Sequence, residues 1–182
     1  MKKLLLLAVP IGLLAGCSSV SVSRDYDTAA DFSGLKTFAW QHAEQPQTGD
    51  PRIDNDLHDE RVRRAVNQTL TAKGFQLTDR ADADFLVAYY VEYKRKLNSG
   101  SVSVGMGRSS YGRHGSVGYS TGVSEYDQSN LIIDVMGPAD EKMIWRGVGT
   151  RSTYDGSSPE KMSRIVNESV SKILKKFPPK KR

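Results

Sequence analysis

The sequence predicts an α+β domain in two layers, a largely antiparallel sheet with two helices packed on one face, interrupted by a Gly/Ser-rich excursion. Three observations carry this reading. Two segments of helical length place apolar residues at spacings of three and four, one early and one at the end. Between and before them lie segments rich in Val, Ile, Tyr and Trp, the residues that suit a pleated surface. Gly, Pro and Asp clusters punctuate the boundaries.

In chain order, residues 18–24 read either as a tether or as an edge strand. The strand is favoured, because Val20 and Val22 repeat at period two and Tyr26 extends the same face. A turn over 27–34 leads to a short strand at Thr37, Phe38, Ala39 and Trp40, and residues 42–51 have loop composition. The first helix begins at Asp54 or Asp56 and runs to about Lys73, with Val62, Ala65, Val66, Thr69 and Leu70 on one side and Leu57 off that stripe. Gly74 is its expected stop. After a polar turn over 79–84, residues 85–93 form the strongest strand, apolar on nearly both faces, which calls for cover on each side or a central place in the sheet.

The excursion over residues 98–123 holds seven glycines in 26 residues. It reads as a loop or as a hairpin in which Val102, Val104 and Met106 alternate. Strands return over 130–136 and 142–150, joined by Gly137, Pro138, Ala139 and Asp140, so the two are antiparallel neighbours. The last helix is capped by Ser157 or Ser158, carries Met162, Ile165, Val166, Ser169, Val170, Ile173 and Phe177 as its stripe, and ends at Pro178 and Pro179.

Ahead of the domain stand Lys2 and Lys3, an apolar run of 13 residues over 4–16, and the box Leu14, Ala15, Gly16, Cys17, the order of an export signal. The run is too short to span a bilayer, which takes about 20 residues. The box resembles the bacterial lipoprotein signal. That resemblance implies cleavage before Cys17, a diacylglyceryl group on its thiol and acylation of the new amino terminus, and two or more chains suffice for stable anchoring. Ser18 in place of Asp implies sorting to the periplasmic face of the outer membrane. The expected organisation is thus a signal over 1–16, a lipidated end and tether over 17–19, one domain over 20–179, and a basic tail over 180–182.

Loss of the signal leaves 166 residues, enough for one domain, and lowers the formal charge from +5 to +3. Cys17 is the chain's one cysteine, so no internal disulfide is available. The lysines around Phe177, Pro178 and Pro179 read as a solvated end, with anionic lipid as their functional partner.

The mature chain resembles the bacterial lipoproteins defined by the DUF4136 domain. The resemblance rests on Tyr26 and Asp27, on Asp31, Phe32 and Ser33, and on Thr37 to Trp40. It continues through residues 70–75 and 82–87, residues 131–135, Ile144 to Gly147, and Phe177 to Pro179. Phe38 and Phe75 stand where tyrosine is also common, and the excursion is long. The family implies an envelope location and brings no established activity.

Chemistry is sparse. His42, His58 and His114 form no zinc pair, and Asp50, Asp54, Asp56 and Asp59 lack the glycine and ordered spacing of a calcium loop, so no metal and no cofactor are expected. There is no nucleophile elbow and no phosphate loop. Tyr89, Tyr90, Tyr93, Lys94, Arg95 and Lys96 come nearest to a nucleic-acid surface, but alternating burial explains the aromatics, and no nucleic-acid partner is expected. The expectation is a noncatalytic binding or structural module whose partner is an envelope protein, peptidoglycan or anionic lipid. Its candidate surface is Tyr111, Arg113, His114, Trp145 and Arg146, with Trp40 and Trp145 read first as core or sheet-edge packing and Trp145 beside Arg146 as the alternative contact. The alternatives are an envelope hydrolase using His114 or His58 and a carrier of a small apolar ligand.

Overall fold

The computed structural model describes residues 20–99, 123–153 and 158–180. The signal, Cys17, Ser157 and the excursion residues Tyr111, Arg113 and His114 lie outside the described residues. The elements are β1 (Ser21–Tyr26), β2 (Thr37–Trp40), α1 (Asp56–Ala72), β3 (Gln76–Leu77), β4 (Phe85–Ser99), β5 (Val123–Met136), β6 (Met143–Thr153) and α2 (Pro159–Leu174). They form one open six-stranded sheet in the order β1-β6-β5-β4-β2-β3.

The sheet is mixed. β1 with β6, β6 with β5 and β5 with β4 are antiparallel, whereas β2 runs parallel to both β3 and β4. The parallel pairing follows from α1, which crosses between β2 and the strands after it, as parallel strands require. Asp84 fastens that junction: its carboxylate accepts the backbone N–H groups of Lys36 and Thr37, each at 2.8 Å, and the Thr37 hydroxyl at 2.9 Å. The Thr37 and Lys36 amides, in that order, hold the Asp84 carboxyl below its ordinary pKa.

Local chemistry explains the helix ends. Asn55 is the cap of α1, its side chain accepting the His58 N–H, while Asp54 turns back to accept the Thr48 and Gly49 amides. Gly74 ends the helix at a φ of 95°, a conformation that suits glycine. Ser158 caps α2 by accepting the Lys161 N–H, with Pro159 at its first helical position.

Both helices bury their stripes against one face of the sheet. The core joins Val62, Val66 and Leu70 of α1, Val166, Val170 and Ile173 of α2, and Phe85, Val87, Ile133, Val135 and Trp145 of the strands. Leu57 is exposed, as its place off the stripe predicts. β4 occupies the interior position that its two apolar faces call for. Its other face places Leu86 and Ala88 in a small second cluster with Ala39, Ala83 and Met136.

Two features set the depth of α2 on the sheet. Gly147 and Gly149 leave room for it, since a Cβ at Gly147 would stand 2.6 Å from Ile173 Cγ2 and clash with the Trp145 ring, and a Cβ at Gly149 would stand 2.8 Å from Ile173 Cδ1. Phe177, just past the helix, then inserts among Phe32, Phe75, Phe85 and Trp145, with ring centroids 5.3 to 6.1 Å apart.

Gly147→Val should destabilise the domain by about 1–3 kcal/mol through overpacking, measured by denaturant unfolding of the soluble domain; an unchanged midpoint would show that α2 is not seated by this gap. Phe177→Ala should cost about 3–5 kcal/mol, and a loss below that of an ordinary surface substitution would remove Phe177 from the centre of the core.

Candidate interaction surface

Strand alternation sends Trp145 and Arg146 to opposite faces. Trp145 is fully buried beneath α2, and its Nε1 has no hydrogen-bond partner among the described residues. It is therefore a core residue and no contact for a ligand, which corrects its place in the expected surface. Of that surface only Arg146 lies exposed among the described residues. Its guanidinium meets Asp134 on the next strand through two hydrogen bonds, Nε to Oδ1 at 2.7 Å and Nη2 to Oδ2 at 2.6 Å. The Asp134 side chain is 5% exposed and that of Arg146 42%, so the pair is half in solvent. The Asp134 hydrogen bonds hold the Arg146 pKa above its ordinary value.

This pair belongs to the sheet face that no helix covers. The register sets Tyr90 beside Ile132 and Ile132 beside Val148, an apolar row across β4, β5 and β6. Tyr90 is 37% exposed at the end of the row, with Ile132 and Val148 half-buried. On one side of the row lies the pair of Asp134 and Arg146. On the other, Asn130 accepts the Thr150 hydroxyl at 3.0 Å and donates to Glu92 at 3.4 Å, and Glu92 pairs with Lys94 at 3.0 Å. The Lys94 and Asn130 hydrogen bonds hold the Glu92 carboxyl below its ordinary pKa. An apolar row between polar margins is the anatomy of a protein contact patch.

The other candidates have structural roles. Arg63 brackets the Asp59 carboxylate, lies over the Trp40 ring at 4.6 Å and donates to the His42 carbonyl. Asp59 also accepts the Tyr89 hydroxyl at 2.9 Å, and burial pushes the Tyr89 pKa up. Asp50 pairs with Arg52. Asp50 and Asp54 thus order the loop before α1, and Asp59 ties the first turn of α1 to the sheet. Among the described residues no three His, Cys, Asp or Glu side chains are placed to hold a metal.

His58 is buried with Nε2 unpartnered among the described residues, and burial, then the nearby Arg61 charge, hold its pKa below the ordinary value. Among the described residues no hydroxyl bonds its Nε2. Two clefts open among the described residues: one of about 270 Å³ is lined by Gln45, Gln47, Asp54, Asn55, Asp56 and Asp59 among others, and one of about 550 Å³ at the β2 and β3 edge is lined by Ala39, Trp40, Leu77, Thr78, Asp79 and Arg80.

The uncovered row was hidden in the sequence because alternation shows two faces without saying which is covered. The opposed charges of Asp134 and Arg146, each inside an apolar strand of one predicted hairpin, were the available signal. Arg146→Met should leave the carboxylate of Asp134 unpaired and cost about 1–3 kcal/mol, with Asp134→Leu restoring part of the loss in the double variant; additive losses in a denaturation cycle would show that the two residues do not act as a pair.

Comparison with known proteins places the chain. Among curated proteins none matches it. A PDZ domain protein from Parabacteroides distasonis is similar in structure at 14% identity and a TM-score of 0.53, over 90% of this chain but 37% of its own. The chain thus spans little more than a third of that protein's length, and the likeness is one of fold. A PelC dodecamer from Paraburkholderia phytofirmans is similar at 15% identity and a TM-score of 0.48, over 89% of this chain and 99% of its own. A minor lipoprotein from Acinetobacter baumannii is similar at 13% identity and a TM-score of 0.43, over 79% and 92%. The profile of the family described as Domain of unknown function (DUF4136) matches residues 22–179, nearly the whole domain, and the chain belongs to that family.

Proposed function

We propose that this chain is a lipid-anchored protein of the bacterial cell envelope, held through Cys17 on the periplasmic face of the outer membrane, whose domain binds a partner protein without catalysis. The anchor rests on the basic start, the short apolar run and the cysteine box. No helix among the described residues is long and apolar enough to cross a membrane.

The observation that carries the binding role is the uncovered row of Tyr90, Ile132 and Val148. A two-layer domain has one sheet face left over, and a soluble face without function is normally polar at alternate positions. Here the centre is apolar and an aromatic ring stands out of it. The nearby cations do not recommend an anionic lipid or glycan, because Arg146 and Lys94 are already matched to Asp134 and Glu92. A nearly neutral patch with Tyr and Arg at its margin suits a protein surface.

The test is site-specific photocrosslinking in intact cells, with the reactive residue at Tyr90 and, as a control, at Gln68 on the outer side of α1. A single crosslinked protein from Tyr90, absent from Gln68 and lost on Val148→Asp, is the expected result. Equal capture from both sites, or none from Tyr90, would exclude this face.

A further inference from the structure

We infer that, in the anchored protein, the outer end of the β4 and β5 hairpin and the first turn of α2 lie against the lipid headgroups, and that the basic C-terminal end points away from that bilayer. This rests on the reading of Cys17 as the lipid anchor. The tether is short: Cys17 precedes Val20 by three residues, so it stays within about 11 Å of it. Val20 is itself fixed, being buried beside Gly149 and Ile173. The membrane therefore has to approach this end of β1.

The register shows what else is at that end. β1 runs antiparallel to β6, with Ser21 opposite Thr150, so the chain before Ser21 heads toward Thr153. Thr153 in turn stands opposite Asp127. From there the β4 and β5 hairpin continues for four more rungs, from Lys96 opposite Tyr126 to Ser99 opposite Val123, with no β6 beside it. At about 3.3 Å per residue these rungs end roughly 20 Å beyond Val20, farther than the tether can reach. A bilayer holding the lipid on Cys17 meets the hairpin before any other part of the sheet.

α2 confirms the polarity of the domain. Arg151 bonds Glu168, Ile173 packs at Gly147 and Gly149, and Phe177 packs on Trp145, so α2 runs antiparallel to β6 and begins at the hairpin end. Ser158, Pro159 and Glu160 then sit on the membrane side, whereas Lys175, Lys176 and Lys180 sit beyond a helix of 16 residues, or about 24 Å, on the opposite side. This geometry removes the C-terminal lysines from the bilayer that carries the anchor and favours reading them as a solvated end rather than as a contact with its anionic lipid.

The experiment uses the mature lipidated protein in vesicles of phosphatidylethanolamine and phosphatidylglycerol that carry a headgroup nitroxide. A fluorophore is placed singly through Ser152→Cys, Glu160→Cys, Asp25→Cys or Lys175→Cys, the thiol of Cys17 being blocked by lipid. Quenching at positions 152 and 160, with little at 25 and 175, is the expected result. Quenching strongest at 175 would mean the opposite pole faces the membrane, and quenching at 25 as strong as at 152 would mean the domain lies on its β1 edge; either overturns the orientation. So does quenching at no position, which would mean that the hairpin is held off the bilayer by a partner or a second copy. Mass measurement of the N-terminal peptide is made on the same samples. An unmodified Cys17 would overturn the anchor itself, a failure distinct from a wrong orientation.

Discussion

The structure depends on one insertion, Phe177 into the space bounded by Phe32, Phe75, Phe85 and Trp145. Each ring comes from a different part of the chain: the turn after β1, the exit of α1, the start of β4, the start of β6 and the segment just past α2. Aromatic rings carry the largest apolar area per residue, so a single side chain placed among four others joins five segments at once. In a domain without a disulfide, this convergence stands where a covalent tie would otherwise hold the N- and C-terminal segments together.

The insertion demands that α2 lie close to β6, and the two glycines of that strand supply the space. Their cost is a strand with less intrinsic preference for the pleat, offset by the contact of Ile173 with the bare backbone and by β1 and β5 pairing on either side. With both helices drawn onto one face, the row of Tyr90, Ile132 and Val148 on the other is left partly in solvent. The pairing of Asp134 with Arg146 and the small cluster around Leu86 then become the means by which that face is kept ordered. Position and function are linked in this way: the same packing that closes the core leaves Tyr90, Ile132 and Val148 available.

Much of the domain was legible from local pattern. The short strand at Thr37 to Trp40, the helix stripe of Val62, Val66 and Leu70, the stop at Gly74 and the hairpin around Gly137 to Asp140 all depend on neighbours within a few residues. So did the interior place of β4, which its two apolar faces require. The candidate surface was less legible. Trp145 read as core or sheet-edge packing or, beside Arg146, as part of one exposed patch; in a strand adjacent residues part to opposite faces, and the larger apolar ring took the buried side.

By itself the sequence determined the main strands and the two helices, their order, the stop of the first helix at Gly74, the α+β class and the family, because periodicity and turn chemistry act over short separations. The Asn55 cap, the short strand at Gln76–Leu77 and the full length of β4 and β5 were not read from it. Only the tertiary structure decided that β2 lies parallel to β4, that Asp134 meets Arg146, that Trp145 faces inward and that the β4 and β5 hairpin shares an end of the sheet with Val20. Those outcomes follow from which strands pair and which face the helices cover. Both are choices among distant segments, made when Phe177, Gly147 and Ile173 bring the last helix down onto the sheet.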